Sequence, residues 1–152
     1  MIPGKTVAIV DDDADDRFLV QEAFLKAGYQ DRFLNFENGP QFMEYLHKTS
    51  PVELPSLLFL DLNMPVIEGK QILKAIKKTD RWAHIPVVVF TTANSDIEKR
   101  MCFQLGASTY ILKPAPLAEM EKLVKAICVV FSIPTNDQNA LTTHPDVQLN
   151  FR

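Results

Sequence analysis

The chain has 152 residues, 47% of them hydrophobic and 23% charged, with a formal net charge of -3. That length is one domain, able to bury roughly 70% of its extended surface. The charge balance offers no basic footprint for nucleic acid, no apolar run nears the ~20 residues of a membrane helix, and no signal-peptide succession opens the chain, so a cytoplasmic domain is expected.

Strand-length apolar runs alternate with amphipathic stretches, the pattern of βαβ units. The first strand is predicted at Val7 to Val10. A helix follows from near Ala14 to Lys26, with Phe18, Leu19, Ala23, Phe24 and Ala27 on its inner face, and Gly28 stops it. Arg32 to Phe36 reads as a weaker edge strand. Asn38-Gly39-Pro40 opens a second helix with Phe42, Tyr45 and Leu46 inward, and the loop from Pro51 to Pro55 leads to a strand at Leu57 to Leu60. A third helix runs from near Gly69 to Lys78, carrying Ile72, Leu73 and Ile76. Pro86 starts a fourth strand, Val87 to Phe90. Ser95-Asp96-Ile97-Glu98 has capping-box spacing and opens a helix ending at Gly106. Tyr110 to Leu112 is a short fifth strand, and Pro116 suits the first turn of the last helix.

That last helix carries more apolar surface than one face needs. Leu117, Met120, Leu123, Val124, Ile127 and Phe131 make a stripe, and Ala126, Cys128, Val129 and Val130 widen it. The excess is either packed under the tail or offered to a partner. Cys102 and Cys128 fall in helical patterns and read as reduced thiols, and the histidines lack ligand spacing for zinc. From Ser132 onward the composition turns polar, yet Val147, Leu149 and Phe151 alternate with Gln148, Asn150 and Arg152, a strand periodicity. The expected organisation is one domain over residues 1–131 and a tail over 132–152, serving as an added edge strand or a strap over a neighbouring chain.

Four apolar runs end in reactive polar groups: TVAIV in Asp11 and Asp12, SLLFL in Asp61, IPVVVF in Thr91 and Thr92, and TYIL in Lys113. In an open parallel sheet the carboxyl ends of the strands share one edge, where ligands bind. Helix capping accounts for Asp13, and the positive end of a helix dipole for Asp15 and Asp16. Neither accounts for Asp11 and Asp12 at the strand's very end. With Asp61 they form a three-carboxylate pocket for a hard, oxygen-ligated ion, and magnesium fits. Beside such an ion Asp61 becomes a nucleophile able to attack phosphorus. In-line transfer needs charge on the equatorial oxygens neutralised by a cation and a positive side chain. Lys113 supplies the second, and Thr91 offers a hydroxyl to a third oxygen. The Lys113–Pro114 bond is a candidate for the cis form.

On these residues, from about Lys5 to Phe131, the chain resembles a receiver domain of two-component response regulators. IPVVVFTT looks most like the single-domain regulators that serve phytochrome-type and other hybrid sensor kinases. The resemblance implies a doubly wound α/β fold: a flavodoxin-like, five-stranded parallel sheet in the order 2-1-3-4-5 with helices on both faces. It implies Asp61 as phosphoacceptor, with Mg2+ held by Asp11, Asp12, Asp61 and the backbone carbonyl of Asn63; Asp12 is the more direct ligand of the acidic pair. Thr91 and Lys113 would bind the phosphoryl group. Thr91 and Tyr110 would form the switch, Tyr110 turning into space that Thr91 vacates. Thr92 stands where the family usually has a small residue and is expected to narrow access to Asp61. Asn63 and Ala93 lie at positions that tune hydrolysis, and Ala93, unable to orient a water, points to a moderately long-lived phosphoryl state.

The implied phosphodonor is a sensor histidine kinase or a histidine phosphotransfer protein. With no helix-turn-helix or cyclase after Phe131, output is expected through protein contacts with a partner the sequence does not name. A homodimer through the fourth helix, fifth strand and last helix is expected, and no nucleic acid or membrane. Such a domain catalyses only its own phosphorylation and dephosphorylation and is no enzyme for an outside substrate. Two alternatives share the pattern, a non-phosphorylated pseudo-receiver scaffold and an aspartyl-phosphate phosphohydrolase. Those hydrolases favour a second acid two residues beyond the nucleophile, where this chain has Asn63, and the full set of site residues speaks against a bare scaffold.

Overall fold

Five short apolar runs build a parallel sheet in the computed structural model, which describes residues 5–136 and the strand Asn150–Phe151. The strands are β1 (Val7–Val10), β2 (Phe33–Phe36), β3 (Leu57–Leu60), β4 (Val87–Thr91) and β5 (Thr109–Leu112). Between and after them lie α1 (Ala14–Lys26), α2 (Gly39–Lys48), α3 (Gly69–Lys78), α4 (Asp96–Leu105) and α5 (Leu117–Val130), with a single 3-10 turn at Pro51–Glu53. The parallel strands run in the order β2-β1-β3-β4-β5, the doubly wound, flavodoxin-like arrangement. A sixth strand, β6 (Asn150–Phe151), pairs antiparallel with the free edge of β5, Thr109 opposite Phe151 and Tyr110 opposite Asn150. The rest of the tail's strand periodicity, Val147 to Leu149 and Arg152, lies outside the described residues.

Every residue of β1, β3 and β4 is buried, as strands covered on both faces must be. Successive side chains alternate between two cores. Ile9, Phe59, Val88 and Phe90 face α1 and α5, against Phe24, Val124 and Ile127. Val10, Leu58, Leu60 and Val89 face α2, α3 and α4, against Phe42, Leu73 and Ile76. β2, the edge strand, is only partly covered.

Local chemistry sets the helix ends. Asp13 caps α1 by accepting from the Asp15 and Asp16 amides, Asn38 caps α2 through the Gln41 amide, and Ser95 caps α4 through the Glu98 amide. Cys102 and Cys128 are buried free thiols.

One expectation needs correction, and one open alternative is narrowed. Phe18 does not face the core: it is 65% exposed. The buried face of α1 is Val20, Ala23 and Phe24, and Phe18 precedes Val20 by two residues, more than half a turn off that face. The surplus apolar surface of α5 is also largely consumed within the chain. Ala126 and Cys128 are buried, and the backbone turns back after α5: the Ile133 amide donates to the Cys128 carbonyl at 2.9 Å and the Ile133 side chain joins the same core as Cys128. Among the widening residues Val130 alone is exposed, with Val129 half-buried.

Candidate functional site

Strand register brings the polar strand ends together. Val10 lies opposite Leu60, so Asp11 and Asp61 leave the sheet as neighbours; the Asp61 amide donates to the Val10 carbonyl at 3.0 Å and the Asp11 amide to Phe36 at 3.1 Å. Thr91 lies opposite Leu112, and the Lys113 amide donates to the Thr91 carbonyl at 2.7 Å. Asp11, Asp61, Thr91 and Lys113 are all buried at this edge, while Asp12 is exposed. The Lys113–Pro114 bond is cis.

Carboxylate oxygens of Asp11, Asp12 and Asp61 lie within 4.8 Å of one another. The Lys113 ammonium reaches into this group. Its Nζ is 2.7 Å from Asp11 Oδ2, 2.8 Å from Asp16 Oδ2 and 3.8 Å from Asp61 Oδ1, and it rests 5.1 Å from the centre of the Phe90 ring. Burial pushes the Asp61 carboxyl up to about 6, and the negative charge of Asp11 adds to that against the pull of Lys113. The Asp11 carboxyl is raised too, since burial outweighs its hydrogen bond to Lys113. For Lys113 burial acts to lower the pKa, but the hydrogen bonds to Asp11 and Asp16 prevail and hold it raised and charged. One ammonium among four carboxylates leaves the site short of positive charge. A donor set made wholly of oxygen, short of charge and open to solvent at Asp12, fits a small hard divalent cation.

The loop residues complete the rim. The Asn63 amide donates to Asp61 Oδ1 at 3.4 Å, and its side chain is exposed. Val66 sits at φ 71° and is 87% exposed; this left-handed conformation strains a β-branched residue by about 1–3 kcal/mol. The Ala93 amide donates to Thr91 Oγ1 at 3.3 Å, and Tyr110 Oη donates to the Ala93 carbonyl at 2.5 Å. Tyr110 is buried, and burial pushes its hydroxyl up to about 12. Its ring therefore already occupies the inward position. Thr92 stands exposed at the rim and Ala93 is half-buried.

Two contributors were not read as such from the sequence. Asp16, assigned there only to the helix dipole, also pairs with Lys113. Gly69 lies so close to the loop after β3 that a Cβ on it would come 2.1 Å from the Asp61 carbonyl oxygen and 2.7 Å from Leu62 Cα.

Residues 7–126 match the family model of the response regulator receiver domain. The chain belongs to that family. Among curated relatives, this receiver is 30% identical over 123 residues to a probable methanogenesis regulatory protein, FilR2, of Methanothrix harundinacea, covering 80% of this chain and 79% of the relative. It is 30% identical over 128 residues to the response regulator Rcp1 of Synechocystis, covering 82% of this chain and 87% of Rcp1. The solved Mn2+-bound form of Rcp1 superposes with a TM-score of 0.73 at 27% identity, covering 95% of this receiver and 98% of that chain. The phosphorylated cyanobacterial phytochrome response regulator RcpA superposes at 0.76, also at 27% identity, covering 88% and 99%.

Proposed function

We propose that this receiver accepts a phosphoryl group on Asp61 in a Mg2+-dependent reaction and signals through protein contacts. The observation that carries the reading is a buried, charged Lys113 lodged beside the Asp11–Asp12–Asp61 cluster, its ammonium bonded to Asp11 and 3.8 Å from an oxygen of Asp61, the acid at the end of β3. A carboxylate oxygen of Asp61 attacks phosphorus as the P–N bond of a donor phosphohistidine breaks; with its other ring nitrogen already protonated, the histidine takes the bonding pair and leaves as the neutral imidazole. Lys113 and the Thr91 hydroxyl take two of the phosphoryl oxygens. Asp11, Asp12, Asp61 and the Asn63 carbonyl would hold Mg2+, which would supply further positive charge to the phosphoryl group. Thr92 at the rim would restrict access, and with Asn63 and Ala93 would set the phosphoryl lifetime. The donor is a sensor histidine kinase or histidine phosphotransfer protein, and the working compartment is the cytoplasm. Among the described residues no helix is long and apolar enough to cross a membrane.

Rcp1 and RcpA align over 98% and 99% of their own solved chains, which supports a regulator acting as a single receiver. The proposal includes a homodimer through α4, β5 and α5. Because β6 already lies on the β5 edge, such a dimer must take β6 into its interface or displace it.

The test is incubation with acetyl phosphate and Mg2+, read by intact mass. One added phosphoryl group is expected, absent in Asp61→Asn and in EDTA. An unchanged mass for the unaltered chain would leave the scaffold reading standing instead.

A further inference from the structure

An ammonium has three N–H donors arranged tetrahedrally, so fixing two of them fixes the direction of the third. Lys113 has two anchors. Asp11 Oδ2 at 2.7 Å and Asp16 Oδ2 at 2.8 Å are both at hydrogen-bonding distance, while Asp61 Oδ1 at 3.8 Å is not. The gap to Asp61 is wide enough for an oxygen carried on Asp61 to stand between it and the ammonium.

The anchors differ in what else they must do. Asp11 belongs to the three-acid group that fits a cation, and its charge would be shared with such an ion. Asp16 stands outside the group, on the first turn of α1, where the helix dipole favours its charge. That turn is itself held to the site: Asp13 caps it, and Arg17 Nη1 donates to the Asp11 carbonyl at 2.6 Å. The Asp16 side chain is 25% exposed and the Lys113 side chain 7%, so the pair lies at the inner wall of the cleft, partly shielded from water.

We propose that Asp16 is a positioning residue for phosphoryl transfer. It holds the Lys113 ammonium from the α1 side, so that the third N–H stays aimed at the oxygens on Asp61 when Asp11 would also be serving a cation. Preorganised donors of this kind act by sparing reorganisation at the moment of transfer. The inference rests on Asp61 being the phosphoacceptor. An acid serving only the helix dipole would stabilise α1 and leave Lys113 indifferent.

A double-mutant cycle on the full chain separates the two roles. The quantity measured is the rate of Asp61 phosphorylation at saturating acetyl phosphate and Mg2+, with thermal melting to follow folding. Asp16→Asn keeps the shape and removes the charge; the rate is expected to fall about tenfold, the scale of one charge-assisted hydrogen bond, with the half-saturating Mg2+ concentration unchanged. Asp16→Glu restores most of the rate. In a Lys113→Met background, already slow, Asp16→Asn adds nothing. The proposal is overturned if Asp16→Asn reacts at or above the unaltered rate, if it slows the reaction equally in both backgrounds, or if its effect is a weaker Mg2+ affinity. Failure of the unaltered chain to take up phosphate would overturn the reading of Asp61 instead.

Discussion

Asp61 is a charge placed where the fold disfavours it. Buried at the end of β3 and facing Asp11, its carboxyl titrates near 6 rather than at the ordinary 3.8. The folded chain therefore holds that proton more tightly than the unfolded one. The group's contribution to stability is complete below the unfolded value and is lost as pH rises through the folded one. At pH 7.5, with divalent cations chelated, the protein carries the full penalty, so Asp61→Asn should melt higher than the unaltered chain by an equivalent of about 2–3 kcal/mol. The gap should narrow as pH falls from 7 towards 4. Added Mg2+ should close or invert it, because only the carboxylate gains a ligand. Equal melting temperatures at pH 7.5 in EDTA would show that the cleft does not disfavour the charge.

At the scale of elements, the segment from β3 to α3 presents Asp61, and Gly69 fits it to its support. The Gly69 amide donates to the Leu62 carbonyl at 2.9 Å, and the space for a Cβ is filled by the backbone of Asp61 and Leu62. Backbone cannot swing aside as a long side chain can. Gly69→Ala should cost about 3 kcal/mol, the upper range for overpacking a tight site, and should slow phosphorylation of whatever fraction stays folded. Chemical denaturation followed by the acetyl phosphate assay checks both. A variant with unaltered stability and rate would refute the close-approach argument.

The contrast between Gly69 and Asp61 shows what a sequence makes legible. Asp61, Asp11 and Lys113 are readable because each ends an apolar run, and parallel strands carry such ends to one edge. Gly69 looks like any glycine opening a helix, since the backbone pressing on it comes from eight residues earlier. Asp16 has a sufficient local explanation in the helix dipole, which hides its pairing with a lysine 97 positions later in the numbering. Phe18 was placed inward because α1 offers two adjacent apolar stripes, and only tertiary packing selects the one through Val20 and Phe24. The breadth of apolar surface on α5 was visible, but the turn that brings Ile133 into the core beside Cys128 was not.

Across the whole molecule, a line of contacts joins the edge that carries Asp61 to a surface. The Thr91 hydroxyl accepts from the Ala93 amide, the Ala93 carbonyl accepts from Tyr110, and the ring of Tyr110 lies 5.6 Å from the ammonium of Lys99 on α4. If phosphorylation draws the Thr91 hydroxyl to a phosphoryl oxygen, the Ala93 amide loses its acceptor, and the loop that holds Tyr110 and opens α4 must adjust. Tyr110 is buried, and its hydrogen bond ties the ring to that loop. Ile97 and Met101 on α4 and Leu112 on β5 are exposed at 67%, 41% and 40%. Isolated apolar residues need no partner, but these three sit on the α4 and β5 elements of the proposed dimer, where association would cover them. Beryllofluoride with Mg2+, which mimics the phosphoryl group, should shift sedimentation from monomer towards dimer. Met101→Arg should abolish the shift while leaving acetyl phosphate labelling of Asp61 intact. Tyr110→Phe, lacking the donor to Ala93, should weaken the dimer's dependence on beryllofluoride about tenfold, the loss expected for one buried hydrogen bond. Sedimentation as a monomer in both states would move the output surface away from α4 and β5 altogether.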